Sequence, residues 1–290
     1  MSKTFSIGPH TLGPSAPSFI IAEIGINHNG SVETAKALID AAVTAGCQAV
    51  KFQKRTVEVV YTAEELAKPR ENPFGDTNGD LKRGLEFGQS EFSEIDTYCK
   101  EKGILWFASC WDEGSVDFID AFAPPCYKIA SASLTDDELL KKHVATGRPV
   151  ILSTGMSTME EIEHALEILA PVPTAILHCT STYPTASDEL NLSLITVWDE
   201  KFTDTVIGFS GHDVGLVTSS VAVALGARIV ERHITLDRSM WGSDQSASVE
   251  PQGFAKLVSQ IRHVETAMGD GVKKVYDSEV PIKKKLRRVG

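Results

Sequence analysis

Short apolar runs alternate with amphipathic stretches about eight times along this chain, and this alternation restricts the fold more than any other feature. The runs occupy residues 19–25, 49–53, 104–109, 126–131, 150–154, 175–180, 206–210 and 229–235. Most of them are too short for helices and are rich in β-branched residues, which predicts strands.

The stretches between the runs have helical patterns, clearest at 31–45, 158–170, 215–226 and 252–268. Ser31 is a capping residue before the first of these, and Gly46 ends it. Repeated strand–helix units imply a parallel sheet with right-handed crossovers. Eight units of about 30 residues predict an α/β fold, a single-domain (β/α)8 TIM barrel. An open doubly wound sheet is the structural alternative.

The predicted barrel occupies residues 19–270, between an N-terminal extension (1–18) and a basic C-terminal tail (271–290). One long loop, 55–90, interrupts the rhythm and is rich in Gly, Pro, Asn and charge. Loops of this length in compact domains are usually lids, contact surfaces or disordered segments. The tail is expected to be a solvated arm or a linker.

Composition narrows the classes of function. The formal net charge of −11 argues against a general nucleic-acid binder, although a local basic pocket can still hold a small anion. The five cysteines form no CxxC pair, which is typical of reduced intracellular proteins. With no signal pattern and no apolar run of membrane-spanning length, we expect a cytoplasmic protein without membrane partners. We also expect a homodimer or larger homo-oligomer.

Polar residues close almost every predicted strand. Active residues of TIM barrels gather at the C-terminal ends of the strands. Here those ends carry Glu23, Lys51, Gln53, Ser109, Lys128, Ser131, Ser153, Thr154, Thr180, Ser210, His212 and His233. A single strand-end serine is most often a helix cap, and a single lysine can pair with a core carboxylate. Their combination around one rim indicates a site, because buried unpaired charge is costly.

Two kinds of chemistry follow from these residue types. Lys51 and Lys128 can face one anion, with the rim serines and helix N-termini completing a phosphate or carboxylate cradle. His212 and His233 end neighbouring strands, which fits a divalent metal site with positions left for water or substrate. Two satisfied core histidines are the alternative. His178 lies inside the sixth strand and is interpreted as structural.

Glu23 and Asp244 are the best acid/base candidates. Glu23 lies in an otherwise apolar run, where burial raises the pKa of a carboxyl group. A salt bridge to Lys51 is the alternative role for this side chain.

The chain resembles the sialic acid synthase family, whose members make N-acetylneuraminate and related nonulosonates. The resemblance runs from about Phe19 to the C-terminus. Its motifs are IAEIGINHNG (21–30), AVKFQ (49–53), YKIAS (127–131), ILSTGM (151–156), LHCTSTYPT (177–185), GFSGH (208–212), VERHIT (230–235) and GSDQSASVEP (242–251). Many motifs in family order, each at a strand end, make the signal specific.

The resemblance implies a role for each matching residue. It implies a phosphoenolpyruvate pocket at Lys51, Ser109, Lys128, Ser131, Ser153 and Ser210. It implies ligation of a divalent metal, manganese or else magnesium, by His212 and His233. It implies a catalytic carboxylate at Glu23 and contacts to an aldose acceptor from Gln53, Tyr183 and Asp244.

Three departures from the family pattern concern the acceptor. Ser133 stands where the family usually has a sugar-binding Glu, and Ser181 where it usually has Asn. The family's small antifreeze-like domain, which supplies an Arg to the partner subunit's site, would begin about where this sequence stops. N-acetylmannosamine is therefore expected to be a poor substrate compared with another aldose. Arg55, Arg70 or Arg83 of the 55–90 loop, or a neighbouring subunit, offers a replacement for that Arg.

The resemblance implies a condensing synthase. C3 of phosphoenolpyruvate attacks the acceptor aldehyde, water captures the cation at C2, and phosphate is released. In this scheme the metal acts as a Lewis acid, Glu23 handles the water, and Lys51 and Lys128 stabilise the anionic groups. A Schiff-base pyruvate aldolase using Lys128 or Lys51 and a non-catalytic sugar-binding barrel are the alternatives.

Overall fold

Eight parallel strands close into a barrel in the computed structural model, which describes residues 3–289. The strands are β1 (Phe5–Ile7), β2 (His10–Leu12), β3 (Phe19–Gly25), β4 (Ala49–Lys54), β5 (Pro69–Asn72), β6 (Gly75–Thr77), β7 (Leu105–Cys110), β8 (Tyr127–Ile129), β9 (Val150–Ser153), β10 (Thr174–Cys179), β11 (Val206–Gly211) and β12 (Ile229–His233). The helices are α1 (Val32–Ala45), α2 (Val57–Val60), α3 (Ala63–Ala67), α4 (Asn78–Leu85), α5 (Gln89–Lys102), α6 (Glu113–Asp120), α7 (Asp137–Ala145), α8 (Met159–Leu169), α9 (Ser193–Lys201), α10 (Val217–Ala224), α11 (Pro251–Met268) and α12 (Val280–Leu286).

The barrel runs in the order β3-β4-β7-β8-β9-β10-β11-β12, and β12 pairs with β3 to close it. This confirms the predicted TIM barrel and excludes the open sheet. The fourth strand is shorter than predicted, because Ser131 already begins a 3₁₀ turn and accepts a hydrogen bond from Gly155 N at 3.0 Å. The eighth strand ends at His233 rather than at residue 235.

The first helix illustrates how local sequence sets the element boundaries. Ser31 caps α1 by accepting a hydrogen bond from Thr34 N at 3.1 Å. Gly46 ends the helix in the left-handed conformation, with φ of 86°, which glycine adopts without steric cost. Both boundaries agree with the prediction.

Side chains of the barrel strands alternate between the interior and the surrounding helices. The N-terminal half of the interior is apolar, and the β1–β2 hairpin covers this end with Ile7 and Leu12, which are both buried. Two further apolar clusters lie between the strands and the helices. Packing thus fills the N-terminal end of the barrel, so the polar interior residues lie at the opposite end.

The 55–90 loop is folded, in contrast to an irregular lid. It contains α2, α3, the β5–β6 hairpin and α4. The chain packs so closely here that a Cβ on Gly30 would lie 2.5 Å from the carbonyl oxygen of Gly84. Phe74 of the hairpin contacts Trp241 edge-on, with ring centroids 6.2 Å apart. The loop therefore forms one wall of the barrel mouth.

Residues 271–289 of the predicted tail are exposed and include α12, whereas Met1, Ser2 and Gly290 of the predicted terminal segments lie outside the described residues. Across residues 3–289, the structure has no helix with the length and apolar character needed to cross a membrane. The five cysteines, all within this range, are unpaired.

Candidate functional site

Polar and charged side chains fill the C-terminal half of the barrel interior. These side chains come together because alternate residues of each strand face the barrel interior. Contacts between side chains of distant strands show that they share one space. Lys128 of β8 lies 3.9 Å from Glu231 of β12, although three strands lie between them in either direction around the barrel. The interior at this end holds Glu23, Lys51, Ser109, Lys128, Ser153, Ser210 and Glu231, all of them buried.

Lys51 is the centre of the first half of this cluster. Its Nζ lies 2.9 Å from Glu23 Oε2 and donates a hydrogen bond to Ser109 Oγ, also at 2.9 Å. Burial lowers the pKa of a lysine, but the facing carboxylates of Glu23 and Glu231 outweigh it and raise the pKa of Lys51. Burial raises the pKa of the Glu23 carboxyl to about 7, against the opposing effect of Lys51. The salt bridge considered from sequence is thus present, and the carboxyl group has the pKa of an acid/base group.

Lys128 is the centre of the second half. Its Nζ donates hydrogen bonds to Ser153 Oγ at 2.6 Å and to the carbonyl oxygen of Ile129 at 3.0 Å. Burial lowers the pKa of Lys128 to about 8, although the charge of Glu231 opposes this shift. The ammonium group is therefore present at neutral pH and close to its titration range.

Glu231 links the two lysines, and the sequence analysis missed it. Its carboxylate lies 3.8 Å from Lys51 Nζ and accepts a hydrogen bond from Ser210 Oγ at 3.2 Å. Burial raises the pKa of a carboxyl group, but Lys128 and Lys51 outweigh burial and lower the pKa of Glu231. One signal was present in the sequence: Glu231 is two residues from His233 in a strand, so both face the interior.

His212 and His233 lie side by side, with ring centroids 5.6 Å apart. Nδ1 of His212 lies 2.8 Å from the carbonyl oxygen of Thr180, which leaves Nε2 for a ligand. Nδ1 of His233 is buried without a hydrogen-bond partner. Burial lowers the pKa of His233 to about 4, so this imidazole is neutral, as metal ligation requires.

These residues fit a divalent cation held by two imidazoles. Among residues 3–289, no group of three or more His, Cys, Asp or Glu side chains is arranged to enclose a metal. Two imidazole ligands would leave the remaining coordination positions of such a cation for substrate and water. The unpartnered Nδ1 of His233 is the observation in favour of such a ligand.

Cys179 is a second interior residue that the sequence analysis did not single out. Its Sγ lies 3.8 Å from His212 Nδ1 and 3.8 Å from Ser131 Oγ. Burial lowers the pKa of a histidine, but the contacts with Cys179 outweigh it and raise the pKa of His212. Cys179 thus lies between the serine side of the cluster and the histidines.

The predicted acceptor contacts line the mouth above this cluster. Gln53 Nε2 donates to Glu23 Oε1 at 3.1 Å, and Gln53 Oε1 accepts a hydrogen bond from Arg55. The Tyr183 ring is half exposed, and its centroid lies 4.1 Å from the centroid of the His212 ring. Asp244 is partly buried, and its charge acts on His233.

The three arginines of the 55–90 loop differ in position. Arg55 is buried against Gln53 and forms an ion pair with Glu86 at 2.9 Å, whereas Arg70 bonds to Asn78 and Arg83 to Glu58. Arg55 is thus the one of the three that bonds to a predicted acceptor-binding residue.

Of the remaining residues considered in the sequence, Ser133 and Ser181 lie near the site and His178 lies outside the barrel interior. Ser133 is buried within the turn after β8, and Ser181 Oγ lies 3.9 Å from Cys179 Sγ. His178 faces outward, where Nε2 lies 2.6 Å from the carbonyl oxygen of Leu190 and the ring packs edge-on against Trp198. His178 is therefore part of the packing outside the barrel interior.

Comparisons with known proteins agree with this arrangement. Residues 38–273 match the NeuB family. N-acetylneuraminate-9-phosphate synthase of Mus musculus is 39% identical over 279 residues, 95% of this chain and 78% of that protein. N,N'-diacetyllegionaminic acid synthase of Legionella pneumophila is 34% identical, over 95% of this chain and 80% of its own length. The crystal structure of an N-acetylneuraminic acid synthetase from Leptospira borgpetersenii superimposes with a TM-score of 0.86 at 32% identity, covering 100% of this chain and 99% of that chain.

Proposed function

The chain belongs to the NeuB family, and from that premise we propose that it condenses phosphoenolpyruvate with a sugar aldehyde. The products are a nonulosonate-type 3-deoxy-2-keto sugar acid and inorganic phosphate. The chain is an enzyme, a carbon–carbon bond-forming transferase of the N-acetylneuraminate synthase type. The observation that carries the proposed reaction is the pair of buried lysines beside two histidines at the C-terminal mouth of the barrel.

The lysine pair suits phosphoenolpyruvate, which carries a phosphate ester and a carboxylate on the same carbon, C2. Lys51 and Lys128 stand on β4 and β8, and Glu231 contacts both. Each ammonium group also donates to a serine hydroxyl, of Ser109 and Ser153 respectively. A ligand with these two anionic groups, placed between the lysines, would exchange the internal contacts for stronger charge-assisted hydrogen bonds in a sheltered site.

The reaction balances without any further reactant. A bond forms between C3 of phosphoenolpyruvate and the aldehyde carbon, water adds to C2, and the bond from C2 to the phosphate oxygen breaks. The oxygen of water becomes the new keto oxygen, while its protons end on the new hydroxyl group and on phosphate. Glu23, with a pKa of about 7, accepts the proton of the attacking water. Lys51 and Lys128 hold the phosphate and carboxylate charges throughout.

In this proposal His212 and His233 would hold a divalent cation, Mn²⁺ or Mg²⁺. Such a cation supplies Lewis-acid polarisation of the acceptor carbonyl. Tyr183 packs against His212 with the two ring centroids 4.1 Å apart, and its half-exposed ring lies on the solvent side of the histidine. Gln53, Tyr183 and Asp244 are the proposed contacts of the acceptor, which we propose to be an N-acylmannosamine-like sugar or another aldose.

We also propose a cytoplasmic location for this protein. All five cysteines are free thiols, which fits the reducing cytoplasm. We propose phosphoenolpyruvate and the aldose as its small-molecule partners, and a homodimer or larger homo-oligomer as its assembly.

Removal of the metal tests this proposal. We expect exhaustive chelation to abolish the reaction and added Mn²⁺ or Mg²⁺ to restore it, because the cation activates the acceptor. A protein that keeps full activity without metal contradicts the role given to the histidines.

The lowered pKa of Lys128 is the one observation that favours the Schiff-base aldolase. Borohydride in the presence of pyruvate separates the two reactions, because only an imine is trapped covalently on lysine. We expect no trapped adduct at Lys51 or Lys128, and stoichiometric trapping would favour the aldolase.

A further inference from the structure

Arg232 and Asp213 form a buried ion pair just outside the barrel, next to both histidines. Arg232 directly precedes His233, and Asp213 directly follows His212. Neither side chain is more than 4% exposed. An ion pair so deeply buried adds little to stability compared with an apolar pair of the same size, so its presence calls for another reason.

The guanidinium group of Arg232 donates hydrogen bonds to both the backbone and the side chain of Asp213. Nη1 donates to Asp213 Oδ1 at 3.2 Å, and Nη2 donates to the carbonyl oxygen of Asp213 at 2.5 Å. Nη1 also donates to Ser219 Oγ of α10 at 3.0 Å, and Thr218 Oγ1 donates to Asp213 Oδ2 at 2.7 Å. Asp213 is therefore fixed from both sides, by β12 and by α10.

The position of this pair matters because the ladder between β11 and β12 stops there. The last paired residues are Gly211 and Arg232. Beyond this point the two histidine segments follow different neighbours: the His212 carbonyl accepts from Thr185 N, and the His233 carbonyl accepts from Val249 N. The Arg232 side chain spans the gap that opens between them.

Gly211 makes this close approach possible. A Cβ at that residue would lie 3.1 Å from Arg232 Cδ and 2.6 Å from the Phe209 ring. The space needed for the arginine stem is thus provided by the glycine of the GFSGH motif.

We propose that Arg232 and Asp213 are positioning residues that set the separation of the His212 and His233 imidazoles. Their role is to hold both rings at the spacing that a divalent cation requires, without touching the cation. This inference rests on the metal assignment of the proposed function. Groups that orient metal ligands typically contribute tenfold to hundredfold to metal affinity.

Titration of the full-length protein with Mn²⁺, followed by the electron paramagnetic resonance signal of the free ion, tests this inference without any catalytic turnover. We expect Arg232→Met to weaken Mn²⁺ binding at least tenfold. Arg232→Lys should recover part of the loss, since it keeps the charge but lacks the forked donors. Excess Mn²⁺ should restore activity in the variants.

Two controls separate positioning from general damage. Arg148→Met removes an ion pair with Asp120 near the start of β9, at the other end of the barrel, and should leave Mn²⁺ affinity unchanged. Phosphoenolpyruvate binding without metal, measured by calorimetry, should be equal in wild type and Arg232→Met, because the lysine cluster does not include this pair.

Each outcome decides the inference. Folded variants with wild-type Mn²⁺ affinity overturn it and leave the proposed function intact. If Arg232→Met does not fold, Asp213→Asn and Thr218→Val decide by the same criterion, since each weakens the grip on Asp213 with little change of shape. A wild-type protein that does not bind Mn²⁺ overturns the metal assignment and this inference together.

Discussion

Replacing Glu231 with Gln is expected to make phosphoenolpyruvate binding more sensitive to pH. The Glu231 carboxylate lies 3.9 Å from Lys128 Nζ and 3.8 Å from Lys51 Nζ. Its charge opposes the burial that lowers the pKa of Lys128 to about 8. Without that charge the pKa of Lys128 falls further, because burial is then less compensated.

The separation sets the size of the effect. Two unit charges about 4 Å apart attract by roughly 4 kcal/mol at an effective dielectric constant of about 20. That energy corresponds to about three pKa units, and relaxation of the site makes this an upper limit. We therefore expect the pKa of Lys128 to fall by about one to three units in Glu231→Gln.

The assay is the KM for phosphoenolpyruvate from pH 6 to pH 8.5, expressed as the ratio of variant to wild type. Since the ammonium form of Lys128 binds the anion, this ratio should rise at least about fivefold across the range. The ionisation of the free substrate cancels in the ratio, because it is the same for both proteins. Glu265→Gln, at the opposite end of the barrel, should give a constant ratio. A ratio for Glu231→Gln that does not change with pH would refute the reasoning.

Three further outcomes are expected. Lys51→Ala and Lys128→Ala should each weaken phosphoenolpyruvate binding more than tenfold, about 1.4 kcal/mol, and unchanged affinity by calorimetry in both would contradict the cradle. The initial rate should rise with pH through about 7, as Glu23 ionises, and Glu23→Gln should lose this rise; an unaltered profile would exclude Glu23 as the base. Burial lowers the pKa of His143 to about 4, so its stabilising effect is complete above about pH 6.5 and is lost as pH falls towards 4, about 3 kcal/mol in total. Denaturant unfolding should show a weaker acid dependence for His143→Gln than for the exposed control His164→Gln, and equal curves would contradict this.

The fold was predictable because it depends on a repeated local pattern. Eight buried runs with helical patterns between them leave few topologies, and the caps at Ser31 and Gly46 mark both ends of one helix directly. The 55–90 loop was harder, because α2 and α3 have four and five residues and no periodicity can be read from such short helices.

The rim residues could be found because polar groups at the ends of apolar strands stand out. Glu231 did not stand out, because Arg232 and His233 follow it directly. Three polar residues in a row conceal the alternation between side chains that face the interior and side chains that face the helices. Two contacts join residues that are far apart in the sequence, namely Cys179 with His212 and Arg232 with Asp213. They depend on how neighbouring strands and α10 pack, so no local sequence pattern predicts them. The prediction that N-acetylmannosamine is a poor substrate stays open, although Arg55 at Gln53 gives the loop a route to the acceptor.

Phosphate release from phosphoenolpyruvate tests the central claim most directly. The protein is incubated with Mn²⁺, phosphoenolpyruvate and a panel of hexosamines and pentoses in ¹⁸O-labelled water, and both products are analysed by mass spectrometry. The proposed reaction predicts release that requires an aldose, one phosphate for each keto acid, and label at the new C2 oxygen but not in phosphate. Release without any aldose, label in phosphate, or no release with any sugar of the panel would contradict it.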